Sequence, residues 1–77
     1  MTETELRIVH RLMRIIVGQY EAQNILSGLL RNHRMGNKPL SNYHRDWLLT
    51  LAWENRHHLP ADLAVIVALN GGADGEQ

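Results

Sequence analysis

Apolar positions in the first half of the chain recur at alternating spacings of four and three. Ile8, Leu12, Ile15, Ala22, Leu26 and Leu29, with Gln19 and His33 in the same register, therefore share one face of a helix. The pattern predicts a single long amphipathic helix over residues 2–34, in which Gly18 is carried through without a break. A second seam of Leu6, Val9, Met13, Ile16 and Tyr20 runs beside the first and fades at Gln23 and Ser27, so the N-terminal half presents the wider apolar arc. Thr2 followed three residues later by Glu5 is a capping-box pattern, in which hydroxyl and carboxylate each accept from an otherwise orphaned backbone N–H. Gly36 suits a left-handed position just past the helix end, and Asn37 and Pro39 mark a short connection. So short a connection joins antiparallel neighbours, and the next helix is expected to return along the first.

Ser41 is the expected N-cap of a second helix over residues 42–57, with Tyr43, Trp47, Leu48, Leu51 and Ala52 on its main apolar face and Leu49 and Trp53 on another side. Pro60 and Asp62 suit the start of a third helix, over residues 61–70, that Gly71 stops. Residues 61–69 are apolar on every side except at Asp62, the mark of a buried or interfacial helix. A strand at 65–69 competes, because three β-branched residues stand together before Asn70-Gly71. The expected fold is all-α: a small three-helix bundle with one long N-terminal helix and two shorter helices folded back on it. Residues 1–70 form one domain and 71–77 a disordered tail.

Length sharpens this picture. A core built from 77 residues supplies only roughly 3–5 kcal/mol without staples, and cysteine is absent. The second seam with Leu49 and Trp53 exceeds what one small bundle covers, so a homodimer is expected, its interface formed by Leu6, Val9, Met13, Ile16, Tyr20 and Leu49. Gly18 and Ala22 form a small-x-x-x-small pair that would admit a neighbouring helix closely. The longest apolar run, residues 63–69, is far too short to span a bilayer and does not lie where a secretory signal would. A soluble, cytoplasmic protein is expected.

Charge adds less. Eight Lys+Arg balance eight Asp+Glu, so no overall field draws the chain onto nucleic acid or a membrane. A helix-turn-helix would have to read bases with residues 61–70, which hold no Arg, Lys or Gln, and this argues against nucleic acid as a partner. The one cationic stripe is Arg7, Arg11 and Arg14 with His10 beside it, on the polar side of the first helix, where guanidinium forks suit carboxylate or phosphate.

Catalytic material is sparse. There is no cysteine, the only serines are Ser27 and Ser41, and no glycine-rich phosphate loop occurs. Glu54-Asn55-Arg56-His57, with His58 next, has the Glu-x-x-His form of di-metal bundles, but one copy lacks the further carboxylates such a centre needs. Histidines in a last helical turn are explained by the helix dipole, so neither metal nor cofactor is expected. One long helix carrying Arg14 and Arg31, followed by two shorter ones, resembles the layout of the small all-helical chorismate mutases, whose active sites gather arginines and a lysine around a dicarboxylate. Lys38 departs from that pattern by lying beyond Gly36, and the third helix offers no polar substrate contacts.

The leading expectation is a non-enzymatic interaction protein, a regulator, inhibitor or accessory subunit, that docks on a protein partner through Arg7, His10, Arg11, Arg14 and Trp53. An oligomer that sequesters a small anion such as a nucleotide is the second reading, and a mutase-like or metal-dependent helical enzyme the third.

Overall fold

The computed structural model of the chain describes residues 1–36 and 38–72. Among these the chain is all-helical, with α1 (Glu3–Ile15), α2 (Tyr20–Gly36), α3 (Asn42–Glu54) and α4 (Ala61–Val67). A 3₁₀ turn (Arg56–His58) precedes α4 and a π-helical turn (Ala68–Gly72) follows it. The elements gather into two compact units, Met1–Pro39 and Leu40–Gln77.

In the first unit the capping box forms as expected: the Thr2 N–H donates to Glu5 Oε1 (2.8 Å) and the Glu5 N–H to Thr2 Oγ1 (3.1 Å). The single long helix does not form. α1 closes at Ile16, whose N–H still reaches the Leu12 carbonyl (3.0 Å), and Gly18 turns the chain with φ +101°. The Gln19 N–H then bonds back to the Ile16 carbonyl (3.0 Å), and α2 starts with the Gln23 N–H on the Gln19 carbonyl (2.9 Å). Hydrogen bonds at both ends make the pair antiparallel. Gln23 Nε2 donates to the Met13 carbonyl (2.9 Å) where α1 ends, and the Met1 nitrogen donates to the Lys38 carbonyl (3.0 Å) and lies 3.3 Å from His33 Nδ1 where α2 ends.

The reason for the break is coverage. A continuous helix over residues 2–34 would run about 50 Å with its wide N-terminal apolar arc facing water. Folding at Gly18 lays α2 against α1 and buries residues from both seams, Ile8, Val9, Leu12 and Ile16, in the same core as Leu26 and Leu29. Left-handed backbone thus occurs at Gly18, whereas Gly36 belongs to α2 without a left-handed φ. Because Gly18 lies between helices, the small-x-x-x-small pair with Ala22 does not exist as a helix face.

In the second unit Ser41 caps α3, its Oγ accepting from the His44 N–H (3.2 Å). α3 stops three residues before the expected end, because the Asn55 side chain donates to the Leu51 carbonyl (2.9 Å) and the Asn55 N–H is shared between the Leu51 and Ala52 carbonyls. Leu59 is extended (φ −89°, ψ 152°), as a residue before proline prefers, and Pro60 sits at the N-cap of α4 with its carbonyl accepting from the Ala64 N–H (3.0 Å). The competing strand at 65–69 is overturned: these residues are helical, and Asn70 Nδ2 bonds the Ile66 carbonyl (2.7 Å). Helical backbone passes the expected stop at Gly71 and reaches Gly72, while residues 73–77 of the expected tail lie outside the described residues. α3 packs on α4 and the π-turn, with Leu48, Ala52, Leu59, Leu63 and Val67 buried. Burial of α4 is one-sided, since Val65 is exposed, as is Leu69 in the turn that follows.

Candidate functional site

Each α-helical residue advances about 100°, and this alone separates two faces of α1. Ile8, Leu12 and Val9 fall on one side and are buried. His10, Arg14, Arg7 and Arg11 fall within an arc of roughly 100° on the other, and all four are exposed. Arg7 also has an interaction within the chain. The three guanidinium groups follow one another along about 10 Å of helix, at 1.5 Å per residue, with Glu3 at the N-terminal end of the same side. The balanced total charge conceals a division. Residues 1–39 carry six Lys/Arg against three Glu, and residues 40–77 carry two Arg against five Asp/Glu.

The second unit presents a different surface. Tyr43, Asp46, Thr50 and Glu54 are exposed on the side of α3 opposite Leu48 and Ala52, and Trp53, half-buried, borders them. Arg56 lies over the Trp53 ring, its Cζ 4.0 Å from the centroid, and its Nη1 donates to the Trp53 carbonyl (2.8 Å). One face of the indole, expected to lack cover, is therefore occupied by a cation from its own chain. The Tyr43 ring meets His44 edge-on at 5.4 Å.

The residues expected at an oligomer interface divide into three groups. Val9 is 0% and Ile16 1% exposed, so the chain itself covers them. Leu6, Met13 and Leu49 are half-buried, and Tyr20, at 78%, stands in solvent. The seam changed character because folding at Gly18 supplied the cover that a straight helix lacked.

Glu54 closes α3 while His57 belongs to the 3₁₀ turn, so the spacing that would aim Glu-x-x-His at one point on a helix is lost. Among the described residues no three His, Asp or Glu side chains are grouped to hold a metal ion. Arg14 and Arg31 lie on different helices, which removes the long first helix on which the likeness to chorismate mutases rested. Ser41 is engaged as a cap, and no buried side-chain polar atom lacks a partner among the described residues. No helix among them is long and apolar enough to cross a membrane.

Tyr43, expected on the apolar face with Leu48 and Ala52, is exposed on the acidic side instead, because at 100° per residue it falls in line with Thr50 and Glu54 and not with Leu48. Asp46, Thr50 and Glu54 at spacings of four were the available signal. No protein-family model matches the chain, and no curated protein or solved structure shows significant similarity to it.

Proposed function

We propose that the chain is a non-enzymatic interaction protein, acting in the cytoplasm as a regulator, inhibitor or accessory subunit. It docks on an acidic surface of a protein partner through Arg7, His10, Arg11 and Arg14. One observation carries the reading: four exposed basic side chains occupy one side of a helix whose opposite side is locked in the core. Such a row is held in register by the scaffold, so little backbone entropy is lost when a partner binds. Arginine forks hold carboxylates in paired hydrogen bonds, and an exposed row of like charge accelerates encounter with an acidic face. Trp53, stacked under Arg56, is a further docking residue offered by the second unit. Self-association as a homodimer belongs to the same reading, with Tyr20 and the half-buried Leu6, Met13 and Leu49 as its apolar contributors.

The test compares the parent with a variant in which Arg7, Arg11 and Arg14 are all replaced by Gln. Proteins captured from the native host by the parent are purified and titrated against both forms. Binding at least about tenfold weaker for the variant, or 1.4 kcal/mol, is expected, and equal binding refutes the docking face. A rise in melting temperature with a panel of nucleotides would instead favour a sequestering protein for small anions.

A further inference from the structure

We propose that the arginine side of α1 receives the acidic side of α3 from a second copy of the same chain, the two helices lying antiparallel. The inference rests on the docking reading and names an occupant for that face.

Spacing carries the argument. Asp46 and Glu54 are eight residues apart on α3, about 12 Å along its axis, and Arg7 and Arg14 are seven apart on α1, about 10.5 Å. Both pairs can therefore meet at once, with Arg11 and His10 opposite Thr50. Among the described residues the Asp46 and Glu54 side chains make no hydrogen bond or ion pair within the chain. Arg7 need not give up its own interaction, because a guanidinium has five N–H donors.

Charge order fixes the direction. Antiparallel, with Arg14 at Asp46 and Arg7 at Glu54, Glu3 arrives four residues further on, opposite Arg56, His57 and His58. A parallel pairing would set Glu3 against Asn42, where the nearest guanidinium, Arg45, lies round toward the packed side of α3, and would align the two helix dipoles. Exposed Tyr43 and half-buried Trp53 flank the carboxylates and supply area that excludes water around them.

Sedimentation velocity of the full chain at micromolar concentration, at low and at high salt, reads the contact. Self-association that weakens as salt rises is expected, whereas an interface made by apolar residues alone would hold or strengthen. Arg14→Asp and Asp46→Arg, each checked for helicity by circular dichroism, should separately weaken self-association by more than about tenfold. An equimolar mixture of the two variants should recover it, because the carboxylate introduced in one chain then faces the guanidinium introduced in the other.

A single-chain mass at every salt concentration overturns the pairing, whatever the capture experiment returns. Association indifferent to salt and to both variants overturns it equally, as does a mixture that fails to recover. Salt-sensitive association recovered by the mixture, in a chain that captures no partner from its host, would keep the pairing and overturn docking on a foreign protein.

Discussion

Gly18→Ala isolates the conformational requirement that divides the first unit. At φ +101° an L-residue is strained, and a Cβ built there meets nothing within 4 Å, so packing adds no term of either sign. Placing an L-residue in left-handed backbone costs roughly 1–2 kcal/mol. Alanine also favours a helix interior over glycine by about 1 kcal/mol, and this gain goes to the competing continuous helix. The hairpin thus loses about 2–3 kcal/mol relative to the straight form and about 1–2 kcal/mol relative to the unfolded chain. A chain this size without disulfides holds only roughly 3–5 kcal/mol in total. A fall in melting temperature of roughly 4–16 °C follows, measured by circular dichroism alongside a urea titration. The control is D-alanine at the same position in a synthetic chain, which accepts positive φ and should leave stability unchanged or raise it by up to about 1 kcal/mol. An L-alanine variant as stable as the parent, or L- and D-alanine variants that melt together, would refute the argument that Gly18 is needed for its backbone.

Leu26→Ala should cost about 2–5 kcal/mol, since Leu26 is wholly buried between α1 and α2 and its loss leaves a cavity; urea unfolding with an unchanged m-value checks it. Thr2→Ala and Ser41→Ala each remove a helix cap and should cost about 0.5–2 kcal/mol, readable as a shift in urea midpoint. At concentrations where the parent is a monomer, the triple Arg7, Arg11, Arg14 to Gln variant should keep its melting temperature to within a few degrees, because these groups are exposed. A large loss of stability would show that the row serves the fold.

Local chemistry alone determined much of this protein. The Thr2 and Glu5 capping box, the Ser41 cap and the Pro60 start depend on residues within a few positions of each other, and they stand where the sequence put them. The same holds for the polar side of α1, because helical periodicity puts Arg7, Arg11 and Arg14 opposite Ile8 and Leu12 however the rest of the chain folds.

Where the chain bends was not a local matter. Residues 2–34 keep a helical register straight through Gly18, so periodicity favours one helix, and a glycine within it costs only about 1 kcal/mol. Burying Val9 and Ile16 is worth more than this, at about 1.5–3 kcal/mol for each such side chain, but that gain appears only when α2 has come back to cover them. Tertiary structure therefore decided that Gly18 and not Gly36 takes the left-handed turn, and that Val9 and Ile16 belong to a core instead of an open seam. The cover over Val9 and Ile16 depended on a segment whose position no local pattern could specify.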